Sequence, residues 1–170
     1  MSVTDVDTQT RAGIPAISTN TIVLILFSGA LGTMAFDIFG KVISPLLGYG
    51  SLSPVGLARS FLGSIGLPKS AAYGNLMHLF LVGMLAYPIG WLFIARPFFA
   101  KLVPALPWVI GSVLYGVGLW VFAIGGITTI AGLKPFLGFG TITWVSLVGH
   151  VIFGIVAAAT VVYLERLQNR

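Results

Sequence analysis

Cysteine is absent from the chain. That excludes disulfides, thiolate metal sites, Cys-bound iron–sulfur clusters and covalent c-type haem. Charge is also scarce. Nine Lys and Arg with four Asp and Glu make up 8% of the 170 residues, against about 25% in a soluble domain. So few charges cannot wet a surface all round, and lipid is the expected solvent. The net charge of +5 is spread over loops and tails. No basic stripe or aromatic-basic platform accompanies it, so nucleic acid is not an expected partner. No HExxH, Walker motif or helix-opening GxGxxG is present, and no nucleophile-base-orienter set. Enzymatic chemistry is therefore not expected.

Long apolar runs are what the chain has instead, with 57% hydrophobic residues. A helix needs about 20 apolar residues to cross roughly 30 Å of hydrocarbon. Four stretches qualify, at about 21–47, 71–95, 107–130 and 143–164. Unpaired backbone groups are costly in lipid, so these are expected to be helices. The second run ends at Arg96-Pro97 and the fourth at Glu165-Arg166, and Pro88 is expected to kink the second. A polar tail, 1–20, precedes the helical domain 21–164, and a short tail, 165–170, follows it. The first tail contains Asp5 and Asp7. It lacks the basic start of a secretory signal, and reads as a retained tail ending in the capping residues Ser18-Thr19-Asn20. The apolar segment 54–68 is too short to span and is expected to lie in the interface or re-enter partway.

Nine residues recur. Pro45-Leu-Leu-Gly-Tyr-Gly-Ser-Leu-Ser53 returns as Pro135-Phe-Leu-Gly-Phe-Gly-Thr-Ile-Thr143. Pro45/Pro135, Leu47/Leu137, Gly48/Gly138 and Gly50/Gly140 are identical, and the remaining pairs exchange like for like. Each copy follows one apolar run and precedes another. The expected fold is all-α: two helical hairpins related as a parallel repeat and forming a four-helix transmembrane bundle.

Both copies fall on one side of the membrane. That side carries Lys41, Arg59, Lys69 and Lys134. The opposite side carries both termini, with Arg11, Arg96, Lys101, Arg166 and Arg170. Five cations against four tip both termini toward the cytoplasm. Trp91 and Trp108 are then expected in the cytoplasmic aromatic belt and Trp144 in the outer one.

Small residues set helix packing in lipid. Gly111, Gly118 and Gly125 recur at sevens in the third span. Gly29 and Gly32 lie in the first, and Gly154 lies in the fourth. These faces read as close-packed seams, with a dimer face or ligand groove as the alternative.

The rare polar residues fall near one depth. His78 and His150 are the only histidines, each seven residues into its span. At 1.5 Å per residue both lie about 10 Å below the same surface. Asn75 precedes His78 by about one turn. Asp37 and Lys41, spaced i,i+4, are the only charges inside a span and can pair. A charge at such depth marks function or a buried partner. One polar site combining Asp37, Lys41, Asn75, His78 and His150 is expected. The histidines could serve as polar glue between helices or titrate in a polar network. They could also ligate one b-type haem, since bundle cores host cofactors and imidazole binds haem iron.

Three features also resemble the YagU-like four-span bacterial inner-membrane proteins. They are His78-Leu-Phe-Leu-Val-Gly83 heading a span, the Pro-x-x-Gly turn at Pro135, and Trp144 followed by Gly149-His150. The resemblance covers the second to fourth spans. It implies a bacterial inner membrane, a small helical bundle and a link to acid stress. Asp37-Ile-Phe-Gly-Lys41 lies outside it.

The expected function is that of a non-enzymatic accessory or assembly subunit, embedded in lipid and meeting other membrane subunits or itself through its glycine faces. A bis-histidine haem b electron carrier and a small proton or solute conductor stand as alternatives.

Overall fold

The structure, a computed structural model, describes residues 14–168. Asp5, Asp7, Arg11 and Arg170, and with them most of the N-terminal tail, lie outside the described residues. The fold is all-α. Helix α1 spans Thr19–Leu46, α3 Ala71–Leu102, α4 Trp108–Ile130 and α5 Thr141–Gln168. Each is long and apolar enough to cross a membrane. The short helix α2, Pro54–Ser64, connects α1 to α3. Between 22% and 50% of the most apolar window of each long helix is buried within the protein. The remainder, with Phe27, Met34, Ile94 and Phe122 among its exposed side chains, is left to face lipid.

Local chemistry sets the helix ends. Ser18 caps α1, its Oγ accepting from the Thr21 N–H at 3.2 Å. Ser70 does the same for α3 through the Tyr73 N–H at 3.3 Å. Three helices close on a left-handed glycine: Gly48 after α1, Gly66 after α2 and Gly132 after α4, with φ of 82°, 78° and 74°. Each places the next residue's N–H on a carbonyl of the last turn: Tyr49 on Ser44, Leu67 on Leu62 and Leu133 on Thr128. This is the Schellman arrangement, which occupies carbonyls that a helix end leaves open.

Helix α3 does not stop at Arg96-Pro97 but continues to Leu102. Pro97 falls inside this continuous helix, just after a widened turn in which the Arg96 N–H reaches Trp91 O. Pro88 leaves the helix continuous. The turns beside it widen to i→i−5 bonding, as in Tyr87 N–H to Val82 O and Arg96 N–H to Trp91 O. Such widening is one way a helix absorbs a residue that breaks its ladder.

Helix α5 lies at the centre, packed on α1 and on α4, while α1 also packs on α3. Small residues mark every close crossing. A Cβ on Gly29 would lie 2.5 Å from the Met84 Cα of α3. On Gly116 of α4 it would lie 2.6 Å from the His150 carbonyl oxygen of α5, and on Gly154 it would overlap the Ser112 carbonyl oxygen. Gly32 seats the Phe153 ring, and Gly149 seats the Phe36 ring. Helices α3 and α4 meet instead through bulky rings, Trp91 against Tyr115 at 5.5 Å. The α1–α5 contact and the α3–α4 contact are thus unlike, whereas a twofold relating the two hairpins would make them alike.

The nine-residue repeat also takes two backbones. Pro45 lies within the last turn of α1, whereas Pro135 lies beyond α4 in a separate turn, Pro135–Phe139. The counterpart of Gly48 as helix terminator is Gly132, not Gly138. Gly50 has φ 88°, while Gly140 has φ −70°. Phe136, Leu137 and Phe139 adopt positive φ around Gly138, a conformation that costs roughly 1–2 kcal/mol per L-residue. The Phe136 ring against Trp120 at 4.9 Å and the Thr143 hydroxyl on the Phe136 carbonyl hold it there. The two turns do share one end of the molecule, since a Cβ on Gly50 would meet Ile142 Cδ1 at 3.2 Å.

Helix α2 lies across that same end. It turns Ala58 and Leu62 inward and packs on the start of α3 and the end of α4. At the other end, Trp91 is not a belt residue. It is 3% exposed, packed in the core with Leu24, Leu92 and Val161.

Candidate functional site

The charges of α1 do not stay on α1. Asp37 and Lys41 pair within the helix, Nζ to Oδ2 at 2.8 Å. The other carboxylate oxygen, Oδ1, meets His78 Nε2 of α3 at 3.0 Å. An ionised carboxylate only accepts hydrogen bonds, so Nε2 carries the proton and donates. Exposure falls along the row, from 38% at the Lys41 side chain to 19% at Asp37 and 12% at His78. Lys41 thus reaches outward along its own helix, and the imidazole closes the site from the neighbouring one.

The second histidine stands beside this triad without a hydrogen bond to it. The Phe36 ring lies between them, 6.1 Å from the His78 ring and edge-on to that of His150 at 5.0 Å. His150 is 4% exposed. Its Nδ1 lies 2.7 Å from the Ser146 carbonyl oxygen, an acceptor, so Nδ1 is the protonated nitrogen. The Ser146 hydroxyl is 3.3 Å away. Tyr87 lies 6.2 Å from the His150 ring. Tyr115 donates to the Tyr87 carbonyl and so fastens α4 to α3 one layer deeper.

Of the five polar residues expected together, the structure joins Asp37, Lys41 and His78 and sets His150 alongside. Asn75 is not among them. It is exposed, because the turns from Leu76 to Ala86 are wide and one turn back from His78 no longer returns to the same face.

The glycines divide. Gly29, Gly32 and Gly154 are filled by neighbouring helices. Gly111 faces Phe99, Leu106 and Trp91 at 3.4–3.7 Å, and Gly125 faces the Phe136 ring. A Cβ on Gly118 would meet nothing within 4 Å, so the every-seventh row is not one seam. The tight contact of α4 runs through Gly116, a residue off that row.

A bis-imidazole haem needs two free ring nitrogens facing one slot. His78 Nε2 is engaged by Asp37, leaving only its Nδ1, and the Phe36 ring packs against both imidazoles. Neither of the two cavities described for the protein is lined by a histidine. The residues do not fit the group.

A second interhelical pair escaped the sequence reading. Arg96 of α3 and Glu165 of α5 form a two-pronged pair at 2.7 and 3.2 Å. Its side chains are 11% and 20% exposed. Each residue reads as the polar stop of its own span, and nothing local signals that the two stops meet.

Compared with family models, curated proteins and solved structures, the chain matches none.

Proposed function

We propose that the protein is a multi-pass bacterial inner-membrane protein, with both termini cytoplasmic, that exchanges a proton at the Lys41–Asp37–His78 site. The observation that carries this reading is the single carboxylate shared by an ammonium and an imidazole from two helices. Charged and titratable groups inside a membrane bundle are costly, and they recur where protons or ions are handled. Protonation of Asp37 would release its Oδ1 from His78, the charged contact joining α1 to α3 there. Proton uptake would thereby loosen one helix pair. Lys41, the most exposed of the three, supplies the route to solvent.

The test is proton movement in liposomes containing the purified protein and an internal pH dye. Flux that falls at least about tenfold in Asp37→Asn, the fall expected when a relay group is removed, supports the reading. Equal flux in wild type, Asp37→Asn and empty liposomes overturns it.

A second reading rests on a different observation. A Cβ on Gly118 or Gly126 would meet no neighbouring atom within 4 Å, and Leu114, Val121 and Phe122 beside them are exposed. A small-residue face of this kind lets another helix approach, which fits an accessory subunit of a membrane complex. Crosslinks from a photoreactive residue at Phe122 to a second membrane protein support it. Crosslinks to lipid alone count against it.

A further inference from the structure

A cavity lies away from the polar triad, at the end of the molecule that α2 crosses. Its volume is about 370 Å³, and Arg59, Ser60, Gly63, Ser64, Lys69 and Ala131 line it. Ala131 is the residue on which α4 ends, and Lys69 lies two residues before α3 begins. The cavity therefore opens at the level where spans begin and end, which is the headgroup layer of a bilayer.

Its wall is positive and its hydroxyls are close. Arg59 donates through Nε to the Lys69 carbonyl oxygen at 2.7 Å. This bond holds the α2–α3 connection against α2 and leaves the two terminal guanidinium nitrogens for another acceptor. The Lys69 side chain lies over Gly63, where any Cβ would overlap its Cε. Glycine at 63 is thus what lets the ammonium lie across the cavity wall. Among the described residues the carboxylates are Asp37, paired with Lys41 and His78, and Glu165, paired with Arg96. Neither cation of the cavity has a carboxylate partner among them. The Ser64 hydroxyl donates to the Phe61 carbonyl oxygen at 2.7 Å, so the donors left for a ligand are the two cations and Ser60, a set that suits an oxyanion with several acceptor oxygens. At this depth the commonest such group is the phosphate of a lipid.

We propose that this cavity binds a phosphate group, supplied by the headgroup of an anionic phospholipid, through Arg59 and Lys69 with Ser60. The site is independent of the proton-exchanging triad. A lipid seated there would pin α2 to the start of α3 and the end of α4. Cations at a membrane surface attract anionic headgroups and are indifferent to zwitterionic ones, so the preference is for anionic lipid.

Native mass spectrometry of the full chain in detergent tests this, with phosphatidic acid, phosphatidylcholine or inorganic phosphate added separately at equal concentration. The expected result is one phosphatidic acid retained per chain, with little phosphatidylcholine. The Arg59→Gln/Lys69→Gln double variant should bind about thirty-fold more weakly, from a roughly fivefold loss per cation. Arg59→Lys should lose less than Arg59→Gln, because it keeps the charge. Lys69→Gln alone preserves the Arg59 tether and controls for folding. Lys101→Gln, a cation at the far end, should match wild type, as should Asp37→Asn. Equal phosphatidic acid retention by wild type and the double variant would overturn the proposal, as would equal retention of both lipids. Binding of inorganic phosphate but not of phosphatidic acid would overturn the lipid source and assign the site to a soluble phosphate.

Discussion

Asp37 and His78, on different helices and 41 positions apart in the chain, meet at 3.0 Å while Lys41 holds the other oxygen of the same carboxylate. The carboxylate therefore belongs to both helices. Removing His78 leaves Asp37 with its intrahelical partner, whereas removing Asp37 leaves an ammonium and an imidazole without their anion. Asp37→Ala is expected to destabilise more than His78→Ala, by about 3 kcal/mol against about 1 kcal/mol, in the range for breaking partly buried pairs. Thermal unfolding in detergent measures the order. Equal losses would mean that Asp37 contributes through His78 alone and that its pairing with Lys41 adds nothing; no loss in His78→Ala would mean that the bridge contributes nothing between helices.

The glycine contacts predict opposite outcomes for glycines at the α4–α5 crossing and for Gly118, which lies in α4 with Gly116 but off that crossing. Gly116→Val and Gly154→Val place carbon against backbone carbonyl oxygens of the facing helix, and overpacking of this kind costs about 1–3 kcal/mol or more. Gly118→Val meets nothing and should leave the melting temperature of the isolated protein unchanged. A melting temperature lowered by Gly118→Val as much as by Gly116→Val would contradict the helix rotations described above.

The two copies of the repeat should respond differently to alanine. Gly50→Ala forces an L-residue to φ 88° and should cost about 1 kcal/mol. Gly140→Ala, at φ −70° with its nearest neighbour at 4.0 Å, should cost almost nothing. Matched losses in denaturant or thermal unfolding would restore the symmetric hairpin that the sequence implies.

Arg96 and Glu165 join α3 to α5 through two hydrogen bonds at partly buried positions. Glu165→Gln removes the charge but keeps the shape, and should lower stability by about 2 kcal/mol. Arg96→Lys cannot reproduce the two-pronged geometry and should not rescue it. Unfolding of the single variants and the double variant gives the coupling directly, and additive losses would show that the pair is not coupled.

The sequence by itself determined the membrane class, the all-helical fold, the four long helices and most of their ends. Those properties are local. A run of apolar residues sets a span, Ser18 and Ser70 cap the turns that follow them, and glycine beyond a helix permits the left-handed close. The i,i+4 pairing of Asp37 with Lys41 was legible for the same reason. Tertiary structure alone decided what depends on how helices are rotated against one another. It brought His78 to Asp37 and Arg96 to Glu165, put Phe36 between the histidines and sent Asn75 outward. It chose Gly116 over Gly118 as the seam of α4, and it gave two similar nine-residue segments different backbones. Helix rotation is set by the fit of side chains on facing surfaces, and wide turns such as those of Leu76–Ala86 shift every later residue around the axis. Spacing along one chain carries no record of either.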